Sequence, residues 1–310
     1  MVGQSGCCGD RRMPSTVKSL ASKELCHPPS WLPDNTMYEV WMGSTAYGVA
    51  QDSSDMDIYG FAIPPKDVIF PHLTGYISGF GTPPTRFDQY QQHHIKDPSA
   101  RGGRGTEYDI SIYNIVKYFQ LCMDNNPNMI DSLYVPQDCV LHITTVGQMV
   151  RDSREIFLHK GSWHKFRGYA YSQLAKMGGK SKDSKRYWMV EKYGYDLKFA
   201  YHIIRLILEV EMILVEHTIE MRRHSDLLKA IRNGEWTEEQ VREWFSEKEK
   251  SLEELYHTSG LRYRPNEGSI KYLLVGCLEH HYGSLRDAVA IPQQVDQLVA
   301  DIDAVLSRYR

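Results

Sequence analysis

The chain has 310 residues, of which 42% are hydrophobic and 11% aromatic, enough apolar surface for one large or two ordinary cores and too much for a globally disordered chain. With 36 basic residues against 39 acidic ones the formal charge is −3, which excludes an extensive nucleic-acid-coating surface while allowing a local basic groove. The six cysteines, Cys7, Cys8, Cys26, Cys122, Cys139 and Cys277, are scattered without a C-x-x-C pair, exclude a disulfide framework and read as reduced thiols of a cytoplasmic protein.

Residues 1–30 begin Gly- and Ser-rich, lack the apolar stretch of a secretory signal and read as a poorly ordered extension. "YEVW" is a short β-type run that enters the turn "GSTAYG". "MDIYGFAIPP" alternates and stops at Pro64-Pro65, a second strand. Residues 75–105, rich in Gly, Pro, Gln and His, read as a long loop or hairpin insertion near a site. "TEYDISIY" alternates again as a third strand, and "NIVKYFQLCMDN" is a helix ending before the turn "NNPN". Beyond about residue 140 the spacing becomes helical, in "VGQMVRDSREIFL", "GSWHKFRGYAYSQLAKM", "DLKFAYHIIRLILEVEMILVE" and "SDLLKAIRNG". Gly234 is a C-terminal stop, Thr237 to Gln240 form a capping box, and Pro292 opens a final helix. No run of 18 apolar residues occurs, so no membrane span is expected. The pattern is α+β, with a sheet-bearing unit over 31–140 and a helical unit over 141–310.

The stretch "GSTAYGVAQDSSDMDIYG", from Gly43 to Gly60, sets a Gly-Ser turn ahead of two carboxylates one residue apart. On a strand Asp55 and Asp57 point to one face, Met56 and Ile58 to the other. Two carboxylates on one face repel each other unless a cation neutralises them. Hard oxygen ligands at this spacing suit Mg²⁺, which keeps waters and shares substrate phosphates. Backbone N–H groups near Gly43 and the Ser44 hydroxyl suit a terminal phosphate. The competing reading of "DSSDMD" is a polar turn.

The helix that starts near Asp196 carries Lys198, His202, Arg205 and Glu209 at spacings of 4, 3 and 4, which is one stripe. It reads either as a solvated face or as a cationic face toward a cleft, binding triphosphate or an RNA phosphate. Arg167 reads either as a further phosphate contact or as a structural ion-pair partner. Tyr169 and Tyr171 read as base-stacking or packing residues. "KMGGKSKDSKR", from Lys176 to Arg186, reads as a track for an RNA backbone or as a solvated linker. His93-His94 and His280-His281 lack the i, i+4 spacing and the accompanying cysteines of a zinc site.

The combination of Gly-Ser, a ten-residue spacer and D-x-D between strand-like runs resembles the signature of the DNA polymerase β nucleotidyltransferase superfamily. The ordered set "GSTAYGVAQDSSDMDIYGFAIPP", "NNPNMIDSLYVP", "FRGYAYSQLAKM", "FAYHIIRLILEVEMIL" and "LLKAIRNGEW" narrows this. It resembles the RNA-repair-pathway DNA polymerase β-type nucleotidyltransferases over roughly residues 38 to 283. The resemblance implies a mixed sheet with a third carboxylate on a later strand, for which Asp109 is the candidate and Glu107 the reserve. It implies Mg²⁺, with Mn²⁺ as a substitute, on Asp55, Asp57 and Asp109. It supports the reading of Gly43, Ser44, Lys198, His202, Arg205 and Arg167 as contacts of a nucleoside triphosphate, without assigning individual roles, and implies an RNA 3′ end, damaged or tRNA-like, as acceptor. Two alternatives stand beside it: the same transfer onto a protein or small molecule, as in antitoxin-type AMP transfer, and a catalytically silent RNA-binding protein.

Overall fold

In the computed structural model the described residues are 14–50, 55–70, 77, 86–178 and 186–283. In chain order they form α1 (Thr16–Ser22), α2 (Leu32–Asn35), β1 (Thr36–Trp41), β2 (Met56–Ala62), α3 (Lys66–Ile69), β3 (Gln89–Asp97), α4 (Ala100–Gly103) and β4 (Thr106–Asn114). There follow α5 (Ile115–Met123), α6 (Pro127–Tyr134), β5 (Val140–Ile143), α7 (Thr145–Asp152), α8 (Gly161–Met177), α9 (Tyr187–Tyr193), α10 (Leu197–Glu216), α11 (Ser225–Arg232), α12 (Glu238–Thr258) and α13 (Glu267–Tyr282). The class is α+β, a mixed sheet followed by helices.

The sheet has the order β3-β4-β2-β1-β5. β1 pairs antiparallel with β2 and β5, β3 antiparallel with β4, and β2 parallel with β4. Strand alternation sorts the side chains onto two buried faces. Ile58 and Ala62 of β2 join Ile110 and Ile112 of β4 on one face, under Val17 and Leu20 of α1 and Leu32 of α2. Phe61, Tyr38 and Val40 point the other way into the main core, with α5, α6 and the later helices.

Three expectations change in detail. Residues 14–30 are packed rather than a loose extension, because Val17 and Leu20 seal one sheet face and buried Glu39 accepts the Val17 N–H at 3.1 Å. From Gln89 onward the 75–105 segment is a strand paired to β4, the hairpin alternative. The sheet also runs past residue 140, through β5 to Ile143.

α10 is apolar nearly all round and packs against α8, α11 and α12, as a helix buried on most sides must. Asp196 caps it through the Lys198 N–H at 2.9 Å. The capping box at Thr237 and Gln240 forms at the start of α12, and Gly234 (φ +76°) follows the end of α11. Lys180, Lys182 and Lys185 and the final helix expected from Pro292 lie outside the described residues. No helix among the described residues is long and apolar enough to cross a membrane. Cys26, Cys122, Cys139 and Cys277 are buried free thiols.

Candidate active site

The Met42 N–H donates to the Asp57 carbonyl at 2.7 Å, which carries β1–β2 pairing up to Gly43. There the chain turns: Gly43 has φ +72°, Gly48 N–H donates to the Thr45 carbonyl at 3.0 Å, and Val49 N–H to the Ser44 carbonyl at 2.9 Å. A Cβ on Gly43 would lie 2.5 Å from Asp57 Oδ2, so only glycine lets the backbone rest against this carboxylate. Contacts from α6, the α10–α11 connection and α11 hold the turn. Arg232 donates to the Val49 carbonyl at 2.8 Å, Arg222 to the Thr45 carbonyl at 3.4 Å, and the Tyr47 hydroxyl to Asp131 at 2.5 Å.

The carboxylates meet because β2 and β4 are parallel and in register, Asp57 opposite Asp109. Asp55 sits just ahead of β2 and is exposed. Burial pushes the Asp57 carboxyl up, and Asp109 and then Asp55 push it further, while Lys198 and His93 pull it down. Four charged or titratable groups, from β4, the approach to β2, α10 and β3, therefore act on Asp57. An oxygen donor set crowded with like charge fits a hard dication. Among the described residues no three His, Cys, Asp or Glu side chains close a cage by themselves. Mg²⁺ takes one or two carboxylates and completes its shell with phosphate oxygens and water.

Glu107 shares the face of Asp109 but is engaged by His94 Nδ1 at 2.5 Å. This exposes what the sequence reading missed. Pairing of β3 with β4 is irregular between Gln92 and Ile95, a bulge that holds both His93 and His94. His94 takes φ +57°, and its N–H donates to Asp109 Oδ1 at 2.7 Å. His93 Nδ1 lies 3.5 Å from Asp109 Oδ2. The two histidines, unconvincing as a zinc pair, instead sit against Asp109 and Glu107.

The predicted cationic stripe divides. Lys198 is exposed and acts on Asp57. His202 is held well below its ordinary range by burial, then by Arg205, Lys198, Arg186 and Arg232, so it is a neutral imidazole. Arg205 is only 8% exposed and Glu209 2%, so the stripe is no solvated face. Arg205 lies 3.6 Å from Asp131, 3.5 Å from Glu209 and 4.6 Å from the Tyr47 ring centroid, committed to the support of the turn. Arg167 pairs with Glu253 at 3.0 Å and stacks over Trp163, and none of these partners belongs to the carboxylate site. Arg186 and Arg232, which helical spacing on one element cannot reveal, reach the neighbourhood of His202 from beside α9 and from α11. Of these cations Lys198 acts on Asp57, Arg186 pairs with buried Asp196 at 3.3 Å, and Arg232 holds the Val49 carbonyl.

No curated protein matches the sequence. Among solved structures, a nucleotidyltransferase-like protein from Exiguobacterium sibiricum 255-15 is similar over 79% of this chain and 75% of that chain, at 9% identity and a TM-score of 0.28, too slight a likeness to carry an argument. The RNA repair pathway DNA polymerase beta family (RlaP) matches residues 18–259, a span that includes every carboxylate and cation named above. The chain belongs to this RNA repair pathway DNA polymerase beta family and is a nucleotidyltransferase.

Proposed function

We propose that the protein moves a nucleoside monophosphate from a nucleoside triphosphate to the 3′ hydroxyl of an RNA and releases pyrophosphate. The observation that carries this reading is Asp57 beside Asp109 on parallel strands, with Gly43 packed on the first and Lys198 acting on it. The outer phosphates lie between the Gly43–Ser44 turn and Lys198. Neutral His202 offers a hydrogen bond there rather than a further charge. Asp55, Asp57 and Asp109 would hold Mg²⁺, or Mn²⁺ in its place, which supplies neutralisation of the charge that develops during transfer. The acceptor oxygen attacks the α-phosphorus in line and the α–β bridging P–O bond breaks. Pyrophosphate leaves with that electron pair, and Asp109 takes the hydroxyl proton. Arg205 enters as a positioning residue for the Tyr47 turn, and Arg167 as a brace between α8 and α12. We also propose a cytoplasmic setting, which the buried free thiols suit, and a division into a catalytic unit over 31–140 and a helical unit over 141–310.

The test is incubation with total cellular RNA, Mg²⁺ and each α-labelled nucleoside triphosphate in turn, followed by sequencing of the labelled 3′ ends. Label in RNA that EDTA abolishes supports the reading. Label on protein or small molecules, with RNA blank, contradicts the RNA acceptor.

A further inference from the structure

The face that carries the carboxylates continues beyond them. On β2 the next residue of that face after Asp57 is Tyr59, and on β4 Ser111 and Tyr113 follow Asp109. β3 sets Gln89 opposite Tyr113 and Gln91 opposite Ser111, so both amides share the face. β3 is an edge strand, and Gln89, Gln91 and His93 are exposed, whereas Tyr90 packs on the opposite side against the α1 cluster. The Tyr59 and Tyr113 rings lie 6.5 Å apart with a 32° tilt. From α8, Tyr169 adds a third phenol, 41% exposed, whose oxygen accepts from Asn126 Nδ2 at 3.3 Å. Burial raises the Tyr113 hydroxyl's pKa, and Tyr169 raises it further.

Tyr59 and Tyr113 are half-buried against the main core, and the accessible surface here is their outer edges, Tyr169 and the exposed amides of the β3 edge. Aromatic rings and neutral amides are the chemistry that recognises unpaired bases, by stacking and by hydrogen bonds to base edges. Ser111 is buried beneath them, and Tyr59, Tyr113, Tyr169, Gln89 and Gln91 include no cation, which a duplex backbone would require. We infer that this shelf seats the last unpaired nucleotides of the acceptor strand. The strand arrives from the β3 edge, past His93, so that its 3′ hydroxyl meets Asp109. This inference rests on the RNA-acceptor reading above.

The test measures binding of a labelled single-stranded oligoribonucleotide by fluorescence anisotropy, and of a fluorescent nucleoside triphosphate by direct titration, in the full chain. Tyr113→Leu is expected to weaken the oligoribonucleotide by about fivefold or more, the scale of one lost stacking contact, and to leave triphosphate affinity unchanged. The Gln89→Ala/Gln91→Ala double variant, altered only at exposed edge positions, should fold normally and also bind RNA more weakly. Wild-type RNA affinity in both variants overturns the shelf while leaving the proposed transfer standing, provided that the wild-type protein labels RNA. Loss of triphosphate affinity in Tyr113→Leu with RNA affinity kept also overturns it, since the shelf then holds the base of the incoming nucleotide. A wild-type protein that labels no RNA overturns both readings together.

Discussion

Replacing Gly43 by alanine perturbs the site in two separable ways. The first is backbone strain: at φ +72° an L-residue costs roughly 1–2 kcal/mol. The second is a collision, because the new Cβ would lie 2.5 Å from Asp57 Oδ2, and a carboxylate restored to ordinary contact at 3.4 Å must retreat by about 0.9 Å. A displacement of about 1 Å in a reacting constellation costs on the order of a hundredfold in rate. Gly48 supplies the control from the same turn. It has φ +69°, but a Cβ there would meet Arg222 Cγ at an ordinary 3.5 Å, so Gly48→Ala carries the strain without the collision. Both variants are expected to lose a few degrees of Tm, at about 2–4 °C per kcal/mol for large domains. Only Gly43→Ala is expected to lose pyrophosphate release by about a hundredfold. Equal activity of the two variants at equal Tm would refute the placement of Gly43 against a catalytic carboxylate.

Lys198→Ala should raise KM for the nucleoside triphosphate about tenfold or more, the loss of a charge-assisted contact of roughly 1.5–3 kcal/mol. Its Tm should barely move because the side chain is exposed, and an unchanged KM would send the triphosphate elsewhere. Arg205→Ala should behave oppositely, losing about 3–5 kcal/mol of stability in urea unfolding, because Asp131 and Glu209 stay buried without their cation; wild-type stability would contradict the buried pairing. Burial, with Asp131 next, pushes the Glu209 carboxyl up to about 8 against the pull of Arg205. A folded pKa above the unfolded one gives stability that is full at low pH and lost as pH rises through about 8. Glu209→Gln should therefore flatten the fall in Tm between about pH 5 and pH 8, the window between the unfolded and folded values, and an unchanged slope would remove Glu209 as its source.

Much of the architecture was legible because periodicity reports burial. A short β-type run marked β1 and alternation marked β2 and β4, and parallel pairing then brought Asp109 beside Asp57. Caps at Asn114, Asp196 and Thr237 appear as helix starts. What stayed hidden depends on contacts between distant segments. Spacings of 4, 3 and 4 look the same on a solvated face as on the buried one that holds Arg205 and Glu209. The bulge that turns His93 and His94 toward Asp109 and Glu107 exists only once β3 finds its register with β4. Arg186 and Arg232 join His202 through the packing of separate helices. α1, a single short helix, reveals its worth only when Val17 and Leu20 close a sheet face.

The central claim, that Asp57 and Asp109 are the paired catalytic carboxylates of nucleotidyl transfer, is tested most directly by single-turnover transfer in Asp57→Asn and Asp109→Asn beside wild type, with Tm recorded for each. Asparagine keeps the shape and removes the charge that would hold Mg²⁺. For Asp57, relief of burial and like charge should leave the metal-free fold at least as stable as wild type. The expected result is transfer reduced to background in both variants with the fold intact. Wild-type turnover in either variant would contradict the claim.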